Sequence, residues 1–207
     1  MAYCVARRRQ NTSYGDTVWM ASLTLPVPCT RPSLLHSFLS VVPNVQILVL
    51  LTRSTSYRGL ANVVLPNLEC IETNMSHSRL GRFIERNTSL RALVLTHQCQ
   101  YQTCPLGYSD GLGHITELDC PLRCAMVITH PGVTRLTAHL PDGFLYHGNI
   151  IDVPILLRSF PANSIEYMVL DFHPNDYDIL CSLAGAAPNI RKLRLVETSP
   201  CVPSVCR

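Results

Sequence analysis

Pro43-Asn44-Val45-Gln46-Ile47-Leu48-Val49-Leu50 decides the reading of this chain, because it joins a turn to a short apolar run and then recurs in altered form. Its core pattern is apolar-x-x-apolar-x-small or apolar. Seven segments fit: Val45 to Leu50, Leu68 to Thr73, Leu90 to Leu95, Ile115 to Cys120, Val133 to Ala138, Ile165 to Leu170 and Ile190 to Leu195. Their starts lie 23, 22, 25, 18, 32 and 25 residues apart, which falls around the roughly 20–29-residue period of leucine-rich repeats.

Working outward, Pro43-Asn44, Pro66-Asn67 and Pro188-Asn189 each stand directly before their run. A recurrent helix stop and turn accounts for them. Upstream lie stripes at helical spacing: Leu35, Phe38, Leu39 and Val42; Leu80, Phe83 and Ile84; Leu180, Leu183, Ala184 and Ala187. The shorter run Ile155, Leu156 and Phe160 is expected to fill the same role before Ile165. Each repeat therefore reads helix, turn, strand. A doubly wound sheet also alternates strands and helices, but its βαβ unit takes about 30 residues or more. The expected fold is an α/β, leucine-rich-repeat-like solenoid of about seven short parallel strands with convex helices or turns. It would span residues 33–196. Residues 1–32 are expected to be an irregular segment, either disordered or forming a strand or cap, and residues 197–207 a disordered tail.

Composition narrows the function. The 207 residues are 47% hydrophobic and only 15% charged, with a formal net charge of +3, as expected of one packed domain rather than a disordered chain. Basic residues cluster only at Arg7 to Arg9 and at Arg191, Lys192 and Arg194, so nucleic acid is not an expected partner. The most apolar window, Val45 to Leu51, falls far short of the roughly 20 residues of a membrane helix. Met1 to Gln10 lacks the apolar stretch of a signal peptide. A cytoplasmic or nuclear protein with reduced cysteines is expected, in which the sequons at Asn11, Asn74 and Asn87 carry no glycan.

The short helical segment Leu34-Leu35-His36-Ser37-Phe38-Leu39, the Pro-Asn-apolar junctions and the run Ile47-Leu48-Val49-Leu50 together resemble the degenerate leucine-rich repeats of fungal, basidiomycete-type F-box proteins. The resemblance covers roughly residues 33–196. It implies a non-catalytic protein-binding module, similar to repeats that select substrates for a ubiquitin ligase. Leu25-Pro26 matches the opening dipeptide of an F-box, but Pro26, Pro28 and Pro32 break the helix that should follow. No F-box is recognisable, so binding to the ligase adaptor is not expected. At the ninth repeat position, where the family pattern has Asn or Cys, the chain has Arg53, Ser76, Gln98, Arg123, Pro141, His173 and Thr198. The turn bonds must then be made by other residues.

Two other readings stay open. Gly107-Tyr108-Ser109-Asp110-Gly111 matches the G-x-S-x-G nucleophile elbow, which would make the chain a small serine hydrolase using Ser109. The flanking sequence offers neither a buried strand before it nor a helix after it, and His147 and His173 follow only in chain order. The other reading is a truncated solenoid without independent function. Between 97 and 124 stand His97, Cys99, Cys104, His114, Cys120 and Cys124, all able to bind zinc. Their spacing is loose, so they are expected to be loop residues plus one buried cysteine, with no cofactor. His36, His77, His130 and His139 lack carboxylates or thiols at motif spacing and are expected to be surface or satisfied histidines. No acid–base role is expected for Asp142, Asp152, Asp171, Asp176 or Asp178.

Strand alternation locates the binding surface. Positions one, four and six of the pattern turn inward, so positions three and five face out of the concave sheet. They form two columns, which read in order as Ile47 and Val49, Cys70 and Glu72, Ala92 and Val94, Glu117 and Asp119, Arg135 and Thr137, Tyr167 and Val169, Lys192 and Arg194, so the surface is expected to run from apolar through acidic to basic. Tyr167 is the expected anchor.

Overall fold

The computed structural model describes residues 16–25, 32–52, 60–97, 99, 103–140, 164–172 and 178–198. Within them is one sheet of eight parallel strands, β1 (Met20–Leu25), β2 (Ile47–Thr52), β3 (Cys70–Thr73), β4 (Ala92–Leu95), β5 (Glu117–Pro121), β6 (Arg135–His139), β7 (Tyr167–Phe172) and β8 (Lys192–Glu197). Their order in space is their order in sequence. The molecule is thus α/β with sequential parallel strands, eight in number rather than about seven.

Each of β2 to β8 begins at the third position of its motif, and two backbone devices explain why. First, the position-one amide closes a turn onto the carbonyl three residues back, as in Val45 N to Val42 O (3.3 Å), Leu90 N to Asn87 O (3.0 Å) and Val133 N to His130 O (3.0 Å). Second, the position-two carbonyl accepts two amides of the next unit. Gln46 O receives Glu69 N and Cys70 N at 2.8 and 2.9 Å, and Glu69 O, Arg91 O, Thr116 O, Thr134 O and Glu166 O each do the same one unit on. Extended pairing starts only past that junction. Trp19 O accepts Gln46 N and Ile47 N in the same way, at 2.8 and 3.1 Å. Val18-Trp19-Met20-Ala21-Ser22-Leu23 is therefore an eighth copy of the motif, 27 residues upstream of Val45, inside the N-terminal segment where a strand or cap was one of the options.

The core lies on one face of the sheet. Leu48, Ile71, Leu93, Leu118, Leu136 and Met168, all at position four, are buried and in register with one another. Each contributes about 1.5–3 kcal/mol by leaving water. Against this layer pack α1 (Pro32–Leu39), α2 (Gly81–Arg86), α3 (Leu122–Ile128) and α4 (Ile179–Ala186). Pro32 opens α1, where its missing N–H costs nothing. α2 buries Phe83 and Ile84, as expected. In α4 the buried face is Ile179, Ser182 and Leu183, while Leu180 is exposed. Of the expected stripe, Leu183 and Ala187 are buried whereas Leu180 and Ala184 are exposed, with Ile179 and Ser182 turned inward in their place. α3, not anticipated, fits the shortest interval by starting directly after β5 and burying Leu122, Ala125 and Ile128. The run Ile155 to Phe160 and most of the tail lie outside the described residues.

Side chains outside the ninth position tie the units together. Asn74, at position seven, accepts from Thr52 N and donates to Thr52 O, both at 2.7 Å. Asp171, also at position seven, accepts from Leu140 N at 3.3 Å. Buried Asn87 accepts from Leu65 N at 2.7 Å and donates to Val63 O and Phe83 O. Among the ninth-position residues, Thr198 donates to Phe172 O at 3.0 Å. Ser89 and Ser164 each donate to the position-one carbonyl of the preceding unit.

Candidate functional site

The face of the sheet opposite the core carries positions three and five. Backbone register aligns Ile47, Cys70, Ala92, Glu117, Arg135, Tyr167 and Lys192 in one column, with Met20 extending it. Val49, Glu72, Val94, Asp119, Thr137, Val169 and Arg194 form the second, extended by Ser22. Glu72, Glu117, Asp119, Arg135, Tyr167, Lys192 and Arg194 therefore share one surface.

The middle of that surface is the most structured. Arg135 lies 3.6 Å from Glu117 on one neighbouring strand, and its guanidinium carbon sits 5.1 Å from the centre of the Tyr167 ring on the other. Both charges of the ion pair are about half exposed, so it adds little stability, but it fixes the plane of the arginine over the ring. Beside them His139 reaches Asp119 and Asp171. These carboxylates, Asp119 above all, raise the imidazole to about 9, so the ring is charged at neutral pH. Cys70, in the first column, has its thiol pushed up by burial and then by Glu72 and Glu117. His139 is thus a satisfied histidine, as expected, and its carboxylate partners come from the strands on either side rather than from residues at motif spacing.

A second arrangement lies in the turns after β3, β4 and β5. His77 opens a single 3-10 turn (His77–Arg79), Cys99 follows β4, Cys104 precedes a second 3-10 turn (Pro105–Tyr108), and Cys124 lies in α3. Their ligand atoms all fall within 4.8 Å of one another. His77 Nδ1 is 3.1 Å from Cys104 Sγ and 3.5 Å from Cys124 Sγ. His77, Cys104 and Cys124 are buried and Cys99 is partly so. Cys104 is the acidic thiol, brought to about 4 chiefly by the hydrogen bond from Cys124 and then by His77, whereas Cys124 is raised by the same bond.

Two expectations are corrected here. His77 is not a surface histidine, and its Nε2 has no hydrogen-bond partner among the described residues. Three of the cysteines between 97 and 124 are buried, Cys104, Cys120 and Cys124, rather than one, although Cys99 and Cys104 do lie between regular elements. Cys120 faces the core apart from the cluster, its thiol raised well up by burial. His114 stands elsewhere, lowered by burial and by Arg91. Of the four, only His77 lay outside the group singled out as able to bind zinc, since it comes from the unit before the cysteine-rich interval.

Ser109 sits between two 3-10 turns, Pro105–Tyr108 and Asp110–His114, not at a strand-to-helix elbow. Its Oγ donates to Glu85 Oε1 at 3.0 Å. The flanking glycines have packing reasons. A Cβ on Gly111 would stand 2.8 Å from Glu85 Cα, and one on Gly107 would stand 3.0 Å from Val127 O. His147 and His173 lie outside the described residues, as do Asp142, Asp152 and Asp176. Among the described residues, no helix is long and apolar enough to cross a membrane. The chain matches no known protein family, and a search of curated proteins finds no relative.

Proposed function

We propose that this chain is a leucine-rich-repeat-type solenoid that binds another protein on the open face of its sheet and has no catalysis of its own. This is the role implied by its resemblance to the substrate-recognition repeats of F-box proteins. The observation that carries the proposal is the register itself, which stacks unlike side chains into a graded surface. Apolar Ile47, Val49, Ala92 and Val94 dominate one end, interrupted by Glu72 between them, with Glu117 and Asp119 in the middle and Lys192 and Arg194 at the far end. Sixteen positions in two columns with the core on the other face suit an extended segment laid across the strands. The occupant is a protein segment with acidic residues over Lys192 and Arg194, anchored against Tyr167.

The test is capture of a partner by the full chain, repeated with the paired reversals Lys192→Glu and Arg194→Glu. A matched control reverses Arg82 and Arg86, exposed on α2. The first pair should release the partner and flatten the salt dependence of association, and the second should leave both unchanged. Equal loss from the two pairs would remove the open face as the binding surface.

A further inference from the structure

We propose that His77, Cys99, Cys104 and Cys124 form a structural zinc site that clamps three consecutive repeats together. The donors are three sulfurs and one imidazole nitrogen, a soft set without carboxylates that selects Zn2+ over Mg2+ or Ca2+. Their spacing suits one tetrahedral ion. With metal–ligand bonds of about 2.0–2.3 Å, the edges of the tetrahedron are about 3.6–3.8 Å long. The His77–thiol separations of 3.1 and 3.5 Å and the 4.8 Å span of the whole set bracket that edge.

Burial separates this set from an accidental group of core thiols. Cysteines alone pack well in an interior as small hydrophobes. A histidine beside them is costly there, because thiols are weak hydrogen-bond partners and the far nitrogen, Nε2, meets none among the described residues. An ion bound to Nδ1 would replace those weak thiol contacts with a coordinate bond and fix the tautomer whose proton is on Nε2. Four protein ligands complete the coordination shell and leave no open position for substrate, which makes the site structural. Partly exposed Cys99 is the side from which the ion enters. Binding replaces thiol protons by the metal and transfers no electrons.

The topology says what the clamp does. His77 follows β3, Cys99 and Cys104 follow β4, and Cys124 follows β5. β3 is followed by one 3-10 turn and the six-residue α2, β4 by two 3-10 turns, and β5 by the seven-residue α3, so all three connections are made of short elements. One ion joins all three connections on the core side, away from the open face, so this inference stands whether or not that face binds a partner.

The test uses the full chain purified under reducing conditions, with metal content measured by elemental analysis. About one zinc per chain is expected from a four-ligand site. After chelation, Co2+ should give the strong visible bands of tetrahedral thiolate coordination, saturating at one equivalent and erased by Zn2+. His77→Cys should keep one ion while shifting the cobalt spectrum toward a four-sulfur site, and Cys181→Ser, at an exposed thiol, should change nothing. Wild-type protein of native circular dichroism that binds neither zinc nor cobalt would overturn the proposal without recourse to any variant. So would full metal content in the Cys104→Ser, Cys124→Ser double variant, or a disulfide among Cys99, Cys104 and Cys124 in the metal-supplied, reduced protein.

Discussion

His139 Nε2 lies 3.0 Å from Asp119 Oδ1 while Nδ1 of the same ring lies 3.1 Å from Asp171 Oδ2, so one imidazole bridges three adjacent strands. Its folded value is raised to about 9, whereas an unfolded histidine titrates near about 6.5. A raised histidine stabilises the fold fully below its unfolded value and loses that contribution as pH climbs through its folded value. Melting midpoints should therefore fall between about pH 6.5 and 9, and His139→Gln should flatten that slope. A slope of equal size in the variant would mean that His139 does not hold the three strands.

Leu93 is the position-four residue of β4, fully buried between Ile71 and Leu118 in register. Leu93→Ala should cost about 2–5 kcal/mol by leaving a cavity that neighbouring units cannot collapse into. An unaltered denaturation midpoint would break the assigned register.

Asn87 is 1% exposed and satisfies three backbone groups of two neighbouring units. Asn87→Ala should cost at least about 1–3 kcal/mol, since Leu65 N is left buried without an acceptor. Asn87→Asp should be no better, because its second oxygen would face the Val63 and Phe83 carbonyls. Denaturant titration distinguishes these outcomes, and a neutral Asn87→Ala would show that the amide adds nothing to the stack.

The Gly-Tyr-Ser-Asp-Gly loop gives a contrast within three residues. Gly111→Ala should destabilise by about 1–3 kcal/mol, as overpacking against Glu85 does. Ser109→Ala gives up one exposed hydrogen bond and should stay within about 0.5 kcal/mol. The opposite ranking in a denaturant series would return attention to the serine.

Much of the sheet was legible because its signal is local and repeated. The position-one, four and six residues from Val45 to Leu170 are buried in the order the pattern implies, and the out-facing pairs follow from alternation alone. β1 was missed although Val18, Ala21 and Leu23 fit the same pattern, because a small alanine at position four weakens the apolar signal. In α4 the stripe held at Leu183 and Ala187 but not at Leu180, because Ile179 and Leu180 are equally apolar and only packing chooses between them. The thiol cluster was legible only in part, for a different reason: Cys99, Cys104 and Cys124 stood out as able to bind zinc, but not their meeting with His77. Metal motifs are read by spacing along one segment, whereas these ligands come from three units. The pairing of His139 with Asp119 and Asp171 was hidden likewise, since only strand register makes those residues neighbours.

Because strand order follows chain order, each strand in the sheet is bonded only to the strands just before and just after it in sequence. Such an array is nearly one-dimensional, with stability passed from link to link. Among the described strands β8 is the weakest link: Leu193 is 41% exposed where Leu93 in β4 is wholly covered. Amide hydrogens should accordingly exchange first along β8 and last in the middle of the array, and unfolding should begin as fraying from that end.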